Sequence, residues 1–182
     1  MPKLAAVRPA ATRREPGPAM SHHYNVLFLC TGNSARSIMA EAILNGKHNP
    51  LFTAYSAGSF PSAVVRPEAL KQMQLAGLPA EGARSKSWEE FAKADAPQMN
   101  FVFTVCDNAA KEVCPIWPGQ PMTAHWGVAD PAAVAGTPEE IERAFRDAFI
   151  TLGRRINLFL SLPLASLDTL AIKKEVDRIG MQ

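Results

Sequence analysis

Apolar positions arrive in two alternating rhythms along the 182 residues. Asn25-Val-Leu-Phe-Leu29 is a short continuous apolar run, the mark of a strand buried on both faces. From Ser34 to Asn45, Ile38, Ala42 and Ile43 recur at helical spacing, and Gly46 is expected to end the helix. Phe52-Thr-Ala-Tyr-Ser56 predicts a second strand, stopped by Gly58. Pro67 opens a helix running to Leu75, because its fixed φ suits the first turn. Ser87-Trp-Glu-Glu90 reads as a capping box starting a short helix. Phe101-Val-Phe-Thr-Val105 is the third strand, and Met122-Thr-Ala-His-Trp126 a weaker fourth. Thr137-Pro-Glu-Glu140 is another capping box. The helix it opens carries a stripe of Ile141, Phe145, Ala148, Leu152, Ile156 and Leu160, and Pro163 stops it. One more helix is expected from Leu167 to Ile179.

Strands alternating with helices predict an α/β fold: a three-layer sandwich around a central four-stranded parallel sheet. Residues 1–23 show no periodicity and are expected to be a disordered basic leader. Residues 24–162 form the catalytic domain, and 163–182 a helical extension. In open parallel sheets, sites form beyond the carboxyl ends of the strands. Cys30, Cys106 and the loop holding Asp130 each follow a strand, so all three are expected on one edge.

Composition is ordinary for a soluble domain, 47% hydrophobic and 20% charged. The net charge of +2 is misleading. Lys3, Arg8, Arg13 and Arg14 against Glu15 give the leader +3 and leave the body at −1. With no basic face on the body, nucleic-acid binding is not expected. Nor is a membrane span, since no apolar run approaches ~18–20 residues. The N-terminus lacks the apolar stretch of a secretory signal. An organelle transit peptide competes with a plain leader, or with a start at Met20 just ahead of the first strand. Three cysteines argue against a disulfide framework and for a reducing, cytoplasmic setting.

The chemistry concentrates in Cys30-Thr-Gly-Asn-Ser-Ala-Arg-Ser37. A strand-to-helix loop turns successive N–H groups inward to make an anion nest, and the helix dipole adds positive potential. Thr31, Gly32, Asn33, Ser34, Ala35, Arg36 and Ser37 are therefore the oxyanion-binding candidates. Arg36 can fork onto two oxygens of a tetrahedral anion. Cys30 is expected to be a thiolate of lowered pKa, with Ser37 donating a hydrogen bond to its sulfur. Gly32 and Asn33 suit a tight or left-handed backbone. A lone strand-end cysteine is often just a small buried hydrophobe, and a bare Cys-x5-Arg arises by chance. The strand–loop–helix setting favours the functional reading.

At these residues the chain resembles the low-molecular-weight protein tyrosine phosphatases and their relatives, the thioredoxin-linked arsenate reductases. The resemblance spans roughly Tyr24 to Leu160. It implies that Cys30 attacks a tetrahedral centre, Arg36 stabilises the charge and Asp130, in Asp130-Pro131, protonates the leaving group. A phosphatase then needs only water, whereas reducing arsenate to arsenite needs two electrons from protein thiols. Cys106 and Cys114 answer that requirement, and their spacing is not that of a zinc site. The resemblance implies a relay in which Cys106 forms a disulfide with Cys30 and Cys114 then attacks Cys106. A Cys106–Cys114 disulfide would be presented to thioredoxin, with glutaredoxin as the alternative. Ala132 after Asp130-Pro131 and His125-Trp-Gly127 before it resemble the reductases; His125 itself reads as structural.

Two features depart from the pattern. The Cys106-to-Cys114 spacing is one residue longer than in the best-known members, so the segment between them must unwind or loop. Some relatives hold potassium behind the loop, and Asn33, Glu41, Ser56 and Ser85 fit that position. Lys86 and Ser87 stand where an acid is expected, and a lysine there can supply the charge itself. No tightly bound cofactor is expected, and a monovalent cation behind the loop is left open. The competing functions are a tyrosine or small-substrate phosphatase and a non-catalytic oxyanion receptor.

Overall fold

The computed structural model describes residues 22–182; most of the leader lies outside the described residues. At its end, His23 already belongs to the body, its ring bonded to the Pro50 carbonyl and the Thr53 hydroxyl. Four strands, β1 (Tyr24–Cys30), β2 (Phe52–Gly58), β3 (Phe101–Thr104) and β4 (Met122–His125), pair in the order β2-β1-β3-β4, all parallel. Six helices accompany them: α1 (Arg36–Asn45), α2 (Pro67–Leu75), α3 (Glu89–Ala92), α4 (Asp107–Lys111), α5 (Pro138–Leu160) and α6 (Thr169–Gly180).

The period of two along β1 divides the core. Val26 and Phe28 face one layer, Leu27 and Leu29 the other, and all four are fully buried. The layers are unequal. The first is built by α1, α2, α5 and α6, with Phe103 stacked on Trp126 at 4.1 Å and Phe159 edge-on to both. The second is thin, made of α3 and irregular chain carrying Trp88 and Trp117. The α5 stripe meets the sheet through Phe145, Ala148, Leu152, Ile156 and Phe159, while Leu160 is only partly buried.

Local signals behaved unequally. Thr137 and Glu140 form the reciprocal capping box. Ser87 does not: its Oγ accepts from the Glu89 N–H, but Glu90 turns away to Arg84. Gly46 does end α1, yet its φ of −66° is right-handed. Its value lies in space, since a Cβ there would fall 2.2 Å from Leu78 Cδ2. Helix α4 was not predicted. Among the described residues, no helix is long and apolar enough to cross a membrane.

Candidate active site

The carboxyl ends of β1, β3 and β4 converge as expected. Cys30 closes β1, Cys106 caps α4 just beyond β3, and Asp130 opens a 3-10 turn (Pro131–Ala133) beyond β4. The loop between Cys30 and α1 is held from outside by its carbonyls. Thr31 O accepts from Phe60 N, Gly32 O from Ser62 N and Ser85 Oγ, and Ser34 O from Arg66 N. Carbonyls turned outward leave the opposite edges of those peptide planes directed into the loop, the geometry of an anion nest. Asn33 takes the left-handed conformation at φ 42°. Its buried amide bonds Lys86 N at 2.7 Å and Ser37 Oγ at 2.8 Å. Ser37 is thus part of the loop's frame, and the expected bond to Cys30 is not among those of the described residues. The strand end at Gly58 lies against the loop, where a Cβ would sit 2.5 Å from Thr31 O.

Cys30 and Cys106 are both buried, and Cys106 Sγ lies 3.4 Å from the backbone nitrogen of Thr31, the residue next to Cys30. Cys106 is lowered, and Cys30 is raised rather than lowered as expected. The neighbouring Cys30 thiol is the main cause at Cys106, and the N–H groups of Ala109 and Thr31, each at 3.4 Å, add to it, so Cys106 is lowered to about 5 despite burial. The neighbouring Cys106, followed by burial, raises Cys30, while Arg36 and the Gly32 N–H pull the other way. Thr31 is correspondingly engaged away from the nest: its N–H serves Cys106 and its hydroxyl donates to Glu112 at 3.2 Å.

Arg36 Nη1 donates to Val128 O at 2.8 Å, and Nη2 lies 3.2 Å from Asp130 Oδ2. The loop's cation and the candidate acid therefore meet directly. Asp130 Oδ1 also accepts from Ala132 N, which fixes the carboxylate. Cys114 is half-buried; burial, then the nearby Glu112 charge, raises its thiol. Helix α4 separates it from Cys106 and is fastened by Asp107 Oδ1 to His125 Nε2 at 3.0 Å, with Thr104 Oγ1 on the other ring nitrogen. His125 thereby ties α4 to the end of β3. Its signal in sequence was only a histidine beside a strand.

Behind the loop, the buried Lys86 ammonium lies 3.3 Å from Glu41 Oε2, 3.2 Å from Ser56 Oγ and 3.2 Å from Arg84 O. Ser56 in turn bonds Glu41.

The model of the low molecular weight phosphotyrosine protein phosphatase family matches residues 25–169, which takes in every group described above. The chain belongs to that family. Within it, the chain is 38% identical over 136 residues to the arsenate reductase of Halalkalibacterium halodurans, covering 74% of this chain and 93% of the relative. A solved arsenate reductase in a phosphate-binding state superposes with a TM-score of 0.61 at 26% identity, covering 74% of this chain and 94% of that one. The low molecular weight protein tyrosine phosphatase of T. tengcongensis is also similar, with a TM-score of 0.60 at 25% identity over 74% and 95% of the two chains. The family thus carries both activities on this frame, and α6 lies almost wholly beyond the matched stretch.

Proposed function

We propose that this protein is an arsenate reductase in which Cys30, Cys106 and Cys114 supply the two electrons. The observation that carries the reading is a second buried thiol, Cys106, whose sulfur lies 3.4 Å from the backbone nitrogen of Thr31, the residue next to Cys30. A hydrolase has no use for a second thiol beside its nucleophile; a reductase requires one.

The chemistry starts with the proton on the raised Cys30 thiol. Cys106 takes it, and the Cys30 thiolate so formed, favoured by Arg36, attacks arsenic. Asp130 gives a proton to the departing oxygen, which leaves as water. Cys106 releases that proton to water and, again a thiolate, attacks Cys30 Sγ. The S–As bond breaks, its electron pair stays on arsenic as arsenite, and a Cys30–Cys106 disulfide remains. Cys114 attacks Cys106, freeing Cys30. A dithiol protein of the thioredoxin class, with glutaredoxin as the alternative, reduces the Cys106–Cys114 disulfide. Exposed Val113 and Ile116 flank Cys114 and suit such a partner. Lys86 provides the fixed positive charge behind the loop, so no metal ion is needed there.

The test is arsenate-dependent NADPH oxidation with thioredoxin and thioredoxin reductase. Sustained consumption is expected. Its absence, together with turnover of an aryl phosphate, would replace this reading by the phosphatase.

A further inference from the structure

One buried cation is used by none of these steps. Arg155, on α5, is 6% exposed. Its Nη1 donates to two successive carbonyls, Trp126 O at 2.8 Å and Gly127 O at 3.0 Å. Among the described residues it has no acidic partner, and its Nε is buried without any partner. Burial, and to a lesser degree Arg154, works against its charge. A guanidinium held dry without a carboxylate is expensive to keep, so its placement calls for a cause beyond packing.

The cause lies in the chain just beyond the two carbonyls. Trp126 N donates to Thr104 O and Val128 N to Val105 O, which carries the chain past the end of β4 beside β3. The next carbonyl, Val128 O, is taken by Arg36 Nη1, and Asp130 Oδ2 meets Arg36 Nη2. Three consecutive carbonyls are thus divided between two arginines, Arg155 from beneath and Arg36 from the anion loop. Neither carbonyl bound by Arg155 is satisfied by sheet pairing, since β4 has ended.

We propose that Arg155 is a positioning residue for the general acid. It fixes Trp126 and Gly127 so that Val128 and Asp130 reach Arg36. This rests on Asp130 being the acid of the proposed reaction. Arg155 touches no reacting atom and acts only through the loop.

The experiment is a double-mutant cycle read by single-turnover thiol loss. Reduced protein is mixed with arsenate, quenched with an alkylating agent and its remaining thiols counted. Arg155→Met keeps the apolar stem and removes the donors. It is expected to slow the reaction about tenfold, with the half-saturating arsenate concentration changed less than about threefold. Added to Asp130→Asn it should slow the reaction less than about twofold further, because both act through one group. Arg155→Lys, which keeps a buried donor, should recover part of the rate, and it takes the place of the methionine variant in the same cycle if that variant does not fold. Equal slowing by Arg155→Met in both backgrounds would overturn the proposal, as would an unchanged rate in Arg155→Met. Wild-type protein that loses no thiols would instead overturn the reductase reading. A normal rate in Asp130→Asn would remove the acid and this proposal with it.

Discussion

Cys106 Sγ accepts a hydrogen bond from the backbone N–H of Ala109 at 3.4 Å, so the second sulfur of the redox pair is also the cap of α4. A thiolate is a far better acceptor than a disulfide sulfur. Oxidation of Cys106 therefore removes the cap of a five-residue helix that a cap is needed to sustain. The same event that needs Cys114 thereby loosens the segment that keeps it away.

The charge on Cys106 makes a pH prediction. A thiol lowered to about 5 from the usual 9 is ionised across neutral pH. Because the folded value is the lower one, this group's contribution to stability is fully present above about 9 and is lost as pH falls through about 5. Ultraviolet thiolate absorbance should titrate near pH 5 and vanish in Cys106→Ser. In Cys30→Ser the midpoint should move, since the neighbouring Cys30 thiol is the main cause of the shift. A first thiolate appearing only near pH 9 would contradict the assignment.

Cys114→Ser should stop the relay halfway. Arsenate should consume two thiols once, a Cys30–Cys106 disulfide should be recovered by peptide mapping, and turnover with thioredoxin should cease. Cys106→Ser should yield no disulfide and no arsenite at all. Arsenite production by Cys106→Ser would remove the relay.

Lys86→Met should leave Glu41 and Ser56 without their buried cation. Breaking such a pair costs about 3–5 kcal/mol, which a thermal or urea melt would register. Activity should fall with it, because the lost ammonium contacts brace Glu41, Ser56 and Arg84 O directly behind the loop, whereas the backbone bond from Lys86 N to Asn33 is retained. Wild-type activity should be the same in potassium and sodium salts, and the variant's should differ between them. A potassium requirement in the wild type would refute the internal-cation reading.

Gly58→Ala places a methyl 2.5 Å from Thr31 O and 3.0 Å from Asn33 N, both backbone atoms of the anion loop. The loop must shift. Overpacking of this kind costs about 1–3 kcal/mol, and a loop displaced by a fraction of an ångström should bind arsenate at least about tenfold more weakly. Isothermal titration with arsenate or phosphate checks it. Unchanged affinity would mean that the loop's position is not set by this contact.

Most of the frame was legible in the chain. Buried strands announced themselves as apolar runs, the long amphipathic stripe gave α5, and strand ends followed by Cys30, Cys106 and Asp130 put the site on one edge. These are local facts, fixed by backbone periods of 2 and 3.6 residues and by which residues tolerate burial. Cap signals were half reliable: Thr137 and Glu140 close on each other, whereas Glu90 has a better partner in Arg84. Helix α4 was hidden because five residues carry no period, and its cap is a sulfur that becomes an acceptor only beside Cys30.

What the tertiary structure alone decided is where charges rest. The loop from Cys30 to Arg36 singled out Cys30 among the three thiols, but nothing local to Cys106 foretold its lowered pKa. Cys106 is lowered because the Cys30 thiol and Thr31 N–H, from the anion loop, and Ala109 N–H, from α4, meet at one buried sulfur. Arg155 looked like any polar residue of a helix until its carbonyl partners, 28 and 29 positions away, came within reach. Desolvation and hydrogen bonding act over a few ångströms of space, and distance along the chain does not foretell which groups will share them.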